Sequence, residues 1–247
     1  MRLFDGLAAD ALGERWNTPR FEARDRVTST LDVIHELAEG GAPAGTLVLA
    51  EEQVSGRGRR GSTWHSPPGA GIWLSYLIRP TFAVQTGVLS LRLGMAVVDT
   101  LHALGVGAMV KWPNDVVIEG RKVAGVLSEA RWLGSRLDWV AVGIGINVRG
   151  PLPGELAGRA IAVGEVCHEV SRVGLLDKLV PRLHDLSMAA ELNEDELSAF
   201  SRHDWLARRE IAEPVSGLGC GVAPDGALLV DGGCGIQRVV GGGIVTS

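Results

Sequence analysis

Apolar residues first recur at helical spacing after residue 30. Leu31, Ile34, Leu37 and Ala38 fall on one face, Ser29 or Thr30 can cap the start, and Gly40-Gly41 stop it. TLVLAEEQ (46–53) follows Gly45 as a short apolar run and reads as a buried strand. IWLSYLIR (72–79) reads as a second strand, ended by Pro80. The helical period returns over 86–104, where Leu89, Leu93, Ala96, Val97, Leu101 and Leu104 share a face and Gly105 closes it. Short strands are predicted at 108–112, 115–119, 122–130 and 139–148, with a tight hairpin at Gly120-Arg121. The spacing predicts a helix over 174–192, broken near Pro181, and another over 195–210. Residues 1–24 are weakly patterned, and 151–164 read as loop.

The pattern changes again after Ile211. Ten glycines and two Asp-Gly turns, at Asp225-Gly226 and Asp231-Gly232, separate short β-rich pieces, as in a small antiparallel β unit. The chain thus divides into a lead-in (1–25), a main domain (26–210) and a β-rich tail (211–247).

Composition narrows the function. The 247 residues are 46% apolar and 21% charged, ordinary for a soluble globular protein. A net charge of -5 argues against nucleic acid as the main partner. The three cysteines (Cys167, Cys220, Cys234) are far apart, so neither a disulfide scaffold nor a zinc site is indicated. No signal peptide and no run of 18 apolar residues is evident, which makes the cytoplasm the expected compartment and excludes a membrane-spanning helix.

Against that acidic background, EEQVSGRGRRGSTWHSPPGAGIWLS (51–75) stands out. Three arginines (Arg57, Arg59, Arg60) alternate with three glycines (Gly56, Gly58, Gly61). Glycines let the backbone turn its N–H groups inward, and guanidinium forks suit phosphate and carboxylate oxygens. GRGRRG matches the dinucleotide fingerprint in letters only, because that fingerprint must open a helix and Pro67-Pro68 follow instead. VGIGINV (142–148) reads as a strand with close backbone approach at Gly143 and Gly145. No P-loop and no nucleophile-elbow motif occurs. KWPND (111–115) adds a lysine, an indole and an amide, and GRKVAGVLSE (120–129) adds Lys122 with Gly125 nearby. Each has a plain alternative. The arginines could form a solvated basic turn, Ser29 and Thr30 could be simple caps, Lys111 could pair with Asp115, and Lys122 could guard an edge strand. His65 is expected at the surface.

Together, STL (29–31), the Arg/Gly loop, GIWLS (71–75), KWPND, GRKVAGVLSE and VGIGINV resemble the biotin protein ligases (biotin–[acetyl-CoA-carboxylase] ligases) over about 26–247. The resemblance implies an α+β catalytic domain like the class II aminoacyl-tRNA synthetase core, a mixed sheet backed by helices, followed by a small SH3-like β-barrel. It also implies the monofunctional type, without the N-terminal DNA-binding domain of some members. The implied reaction joins biotin to ATP as biotinyl-5′-AMP with release of pyrophosphate. Biotin then passes to a lysine of the biotin carboxyl carrier protein. Mg2+ would accompany ATP. A disordered Arg/Gly loop that orders over the ligand would stabilise charge and exclude water.

Carried over by position, Ser29, Thr30, Leu31 and Gln53 would meet the biotin ring, and Arg57, Gly58 and Arg59 would close over biotin and the acyl-phosphate. Lys122 would be the main catalytic residue, as an electrostatic stabiliser, with Arg57 beside it. Gly125 and Leu127 would approach biotin through backbone. Arg59, Arg60, Trp64, Lys111, Asn114 and Asn147 would serve ATP or the adenylate. Leu31 departs from the family's usual asparagine. Family members can pair sheet edge to sheet edge, so a homodimer stays open. The rival readings are a non-catalytic polyanion (RNA) binder using the Arg/Gly loop and a biotin-binding protein without catalysis.

Overall fold

The computed structural model describes residues 3–81 and 84–246; Met1, Arg2, Phe82, Ala83 and Ser247 lie outside that description. A hairpin of β1 (Leu3–Phe4) and β2 (Leu7–Ala8) leads into α1 (Ala9–Arg15) and β3 (Phe21–Val27). Then come α2 (Thr30–Glu39), β4 (Leu47–Gln53), β5 (Gly71–Ile78) and α3 (Thr86–His102). Four antiparallel strands follow, β6 (Met109–Lys111), β7 (Asp115–Ile118), β8 (Arg121–Leu133) and β9 (Arg136–Asn147). Two helices, α4 (Arg172–His184) and α5 (Glu194–His203), precede β10 (Glu210–Glu213), β11 (Gly217–Val222), β12 (Leu228–Asp231), β13 (Ile236–Val239) and β14 (Val245–Thr246).

The main sheet has seven strands in the order β3-β4-β5-β9-β8-β7-β6. β3 and β4 run parallel and the remaining pairs antiparallel, so the fold is α+β with a mixed sheet. Successive side chains of a strand point to opposite faces. Accordingly Val48, Leu77 and Ala141 pack under α2 with Leu31 and Ile34, while Leu47, Leu74 and Val142 face the larger core. That larger core lies against α3 and α4, so helices back both faces. The tail forms a separate five-stranded antiparallel sheet, ordered β13-β12-β11-β10-β14. Its Leu228, Val230 and Val239 join the main core, and Trp112 Nε1 donates to the Gly226 carbonyl at 2.9 Å.

Several expectations change. The weakly patterned lead-in is packed: Phe4, Leu12 and Trp16 are buried in the main core, and β3, for which the pattern predicts no strand, is an edge strand of the main sheet. The predicted helix over 174–192 ends at His184, since Arg92 captures the carbonyls of Ala189 and Glu191 at 2.6 and 2.7 Å and holds that stretch as loop. Pro181 sits within α4 without ending it. The helix over 195–210 stops at His203, where Asp204 Oδ1 accepts the Leu206 N–H at 2.9 Å in a side-chain turn. The hairpin turn falls on Glu119 and Gly120, both at positive φ, one residue earlier than predicted.

Asp204 also gives a pH prediction. It is 2% exposed, its Oδ2 has no partner, and burial pushes its carboxyl up to about 6. A raised carboxyl binds its proton more tightly in the folded chain. Its stabilising share is therefore complete below the unfolded value and lost as pH rises through about 6. Relative to Asp204→Asn, the wild type should lose about 3 kcal/mol of unfolding free energy between about pH 4 and pH 7. Denaturant titrations across that range check this; parallel curves would contradict it.

Candidate active site

Two glycines set the path of the Arg/Gly loop. A Cβ on Gly56 would fall 2.5 Å from the Trp64 carbonyl oxygen, and one on Gly58 would fall 2.5 Å from Ser62 Oγ. With only hydrogen there, the loop folds back as a hairpin-like excursion. Gly58 N–H donates to the Ser62 carbonyl at 2.7 Å, and Trp64 N–H to the Gly56 carbonyl at 2.8 Å. Arg57 lies opposite Thr63. Arg59–Gly61 form a single tight turn in which Arg60 is left-handed (φ 57), so no helix opens there, which agrees with rejecting the dinucleotide motif.

Beneath the loop is a cavity of about 310 Å³ on the α2 side of the main sheet. Its polar end is cross-bonded. Gln53 Oε1 accepts from Thr30 N–H at 2.9 Å and Thr30 Oγ1 at 3.1 Å, and Ser75 Oγ donates to Thr30 Oγ1 at 2.8 Å. Ser29 is an N-cap, as its plain reading held, and also lines the cavity. Leu31 packs against Gly143, where a Cβ would come within 3.1 Å of it.

The floor is built by Gly125 of β8 facing Gly145 of β9. The Trp64 indole lies across both. A Cβ on Gly125 would meet the ring at 2.9 Å, and one on Gly145 would penetrate it further. Trp64 Nε1 is buried with no hydrogen-bond partner. Lys122 Nζ sits 5.1 Å from the centre of that ring and 2.7 Å from Asp115 Oδ1. Asp115 therefore pairs with Lys122, while Lys111 stacks on Trp205 at 4.7 Å. Burial pulls the Lys111 amine below its ordinary value.

The arginines ring the mouth. Arg57 bonds Asp32 of α2 and approaches Glu129 of β8 at 3.3 Å. Burial pulls its guanidinium down, but Asp32 and Glu129 together hold it raised. Arg59 donates to Asn114 Oδ1 at 3.0 Å, and Asn114 donates to the Val126 carbonyl at 2.7 Å. Burial, and then the charge of Arg60, lower Arg59. The Arg60 guanidinium reaches Gly242 and Gly243 of the tail. Cations thus stand around an apolar-floored hollow, which suits an acid joined to a phosphate.

The cavity brings together Ser29, Thr30, Leu31, Gln53, Arg57, Gly58, Arg59, Arg60, Trp64, Lys111, Asn114, Lys122, Gly125 and Leu127. Asn147 is the exception. It does not line the cavity; it ends β9 two residues beyond Gly145, with Nδ2 3.5 Å from the Lys122 carbonyl. Sequence reasoning missed Asp115 as the partner of Lys122 and the contribution of Gly242–Ile244. KWPND held a signal for the first; nothing local announced the second. His65 is exposed, as expected. No helix among the described residues is long and apolar enough to cross a membrane.

Residues 23–147 match the model of the biotin/lipoate A/B protein ligase family. The chain is 36% identical over 220 residues to a biotin–[acetyl-CoA-carboxylase] ligase of Paracoccus denitrificans, covering 81% of this chain and 89% of that one. It is 39% identical over 181 residues to the bifunctional ligase/repressor BirA of Bacillus spizizenii, covering 71% of this chain. The match takes in 54% of that relative and 54% of the one from Bacillus subtilis, about half their length. A solved biotin protein ligase of Aquifex aeolicus, in complex with biotin and ATP, superposes with a TM-score of 0.78 at 27% identity, over 93% of this chain and 99% of that one. With that family model spanning half of the sequence and the fold agreeing over nearly all of it, the chain belongs to the biotin/lipoate A/B protein ligase family.

Proposed function

We propose that this protein is an ATP-dependent biotin protein ligase. It joins the biotin carboxylate to the α-phosphate of ATP, releasing pyrophosphate, and passes biotin from the adenylate to a lysine of a biotin carboxyl carrier protein, with AMP leaving. The observation that carries this is the placement of Lys122. Its ammonium lines the same cavity as the cross-bonded Ser29, Thr30 and Gln53 and as Arg57 and Arg59, 2.7 Å from Asp115 and 5.1 Å from the centre of the Trp64 ring. The Aquifex aeolicus relative named for its complex with biotin and ATP supports the choice of substrates.

In this reading the acid lies beside Thr30, Leu31 and Gln53 with its carboxylate toward Lys122 and Arg57. The attacking oxygen needs no base, because a carboxylate is already an anion. Charge builds on the phosphoryl oxygens instead, and fixed cations in a dry site stabilise it. Arg59 and Arg60 serve the phosphate side, with Lys111 and Asn114, and Trp64 offers a ring to the adenine. Mg2+ would accompany ATP as its counterion, held mainly by phosphate oxygens and water, with Asp115, whose Oδ1 pairs with Lys122, as the carboxylate of the cavity that would stand beside it. Residues 26–210 would be the catalytic domain, of the class II aminoacyl-tRNA synthetase type, supported by the lead-in. Residues 211–247 would be an SH3-like unit, and the setting cytoplasmic.

Biotin-dependent ATP–pyrophosphate exchange tests the proposal; exchange driven by lipoate or octanoate instead would sink it. A further consequence concerns the floor. Gly145→Val should force the Trp64 ring out of its seat and raise the KM for ATP more than about tenfold, on the scale of a lost aromatic stacking contact. An unchanged KM for ATP in a folded variant would remove Trp64 from the nucleotide side.

A further inference from the structure

His35 stands on α2 outside the cavity, yet it is wired to the cavity's mouth. Trp139 Nε1 lies 2.9 Å from His35 Nδ1. An indole N–H can only donate, so Nδ1 accepts and carries no proton. The single imidazole proton therefore sits on Nε2, which lies 2.9 Å from Glu129 Oε2. Glu129 then meets Arg57, with Oε1 3.3 Å from Nε and Oε2 3.3 Å from Nη2. Trp139 is 5% exposed with Arg79 5.6 Å over its ring, so the donor that fixes the tautomer is itself held in place. The hydrogen bond from His35 is also the foremost influence keeping the Glu129 carboxyl below its ordinary range, ahead of Arg57.

We propose that His35 is a positioning residue for acid activation: through Glu129 it sets where the Arg57 guanidinium stands at the cavity mouth. This rests on the reading of Arg57 as a contact of the biotin carboxylate and acyl-phosphate. Arg57 is shared between Asp32 on α2 and Glu129 on β8, and an incoming carboxylate or phosphate competes for the same N–H groups. With His35 donating to it, Glu129 is satisfied on its helix side and makes only a long pair with Arg57. The guanidinium then stays available to the ligand. Without His35, Glu129 loses a donor and draws Arg57 toward β8, away from the ligand.

The test uses the full chain in biotin-dependent ATP–pyrophosphate exchange. His35→Leu is expected to raise the KM for biotin about tenfold, the scale of one hydrogen bond to a charged group, with the KM for ATP within about twofold of wild type. His35→Gln presents one acceptor and one donor at similar separation and is expected to restore most of the loss. Independently of activity, long-range proton–nitrogen NMR of histidine-labelled wild type should show the Nε2–H tautomer for His35. An unchanged KM for biotin in His35→Leu, a glutamine variant as impaired as the leucine one, or an Nδ1–H tautomer would each overturn the proposal. Wild-type exchange with biotin is the separate control. Its absence defeats the functional reading and this inference with it, whereas wild-type exchange with an unmoved KM in His35→Leu defeats this inference alone.

Discussion

Lys122→Ala is expected to slow adenylate formation by about two to three orders of magnitude while the fold survives. That is the range seen when one preorganised charge-stabilising donor is removed from a reaction centre. Lys122 lies on β8 with its ammonium 2.7 Å from Asp115 and above the Trp64 ring. Its side chain is 35% exposed, so truncation leaves no sealed void, and the sheet register does not depend on it. Asp115 loses its ion pair and the Trp64 ring its cation. The effect should fall on kcat for pyrophosphate exchange more than on the KM for biotin, because the charge it meets is largest in the transition state. Transfer from preformed biotinyl-5′-AMP should suffer less. Near-normal exchange in the variant would remove Lys122 from its role, and a collapsed thermal transition would show a structural effect instead.

The second large effect is expected on stability. Arg172→Ala should cost about 3–5 kcal/mol, the range for breaking a buried ion pair from one side. For a chain of this size that is a fall of roughly 10 °C in melting temperature. Arg172 is 3% exposed and binds Asp5 at 2.9 Å and Glu51 at 2.7 and 2.9 Å, with its guanidinium 4.1 Å over the Phe4 ring. It thus ties the amino-terminal hairpin to β4, two residues before Gln53 enters the cavity. Removing it leaves Glu51 without its cation and Asp5 with only Arg149, 3.6 Å away. Asp5→Asn with Glu51→Gln should recover part of the loss in the Arg172→Ala background. A variant within about 1 kcal/mol of wild type in denaturant melts would contradict this, since that is the scale of an exposed pair.

Legibility in the sequence followed how local each signal was. Leu31, Ile34 and Ala38 announced α2 because their burial against the sheet repeats every turn. β3 stayed hidden because FEARDRV carries charges across its alternation. It is an edge strand, where Arg24 and Arg26 are tolerated in ion pairs with Glu22 and Glu52. The overlong helix through Leu192 followed apolar spacing at Leu186 and Met188. What ends α4 early is Arg92, about a hundred residues away. The cavity behaved the same way. GRGRRG and Gly125 carry their geometry locally, and the close approaches at Gly143 and Gly145 were readable from the strand pattern. The carboxylates that hold Arg57, the pairing of Asp115 with Lys122, and the tail glycines beside Arg60 arise only when distant elements meet.

The functional proposal is tested most directly by ATP–pyrophosphate exchange with biotin, lipoate and octanoate in parallel, followed by label transfer to a carrier lysine. The expected result is exchange with biotin alone, and label on the carrier. No exchange with biotin, together with exchange on lipoate or octanoate, or strong salt-dependent RNA binding that biotin does not affect, would contradict it.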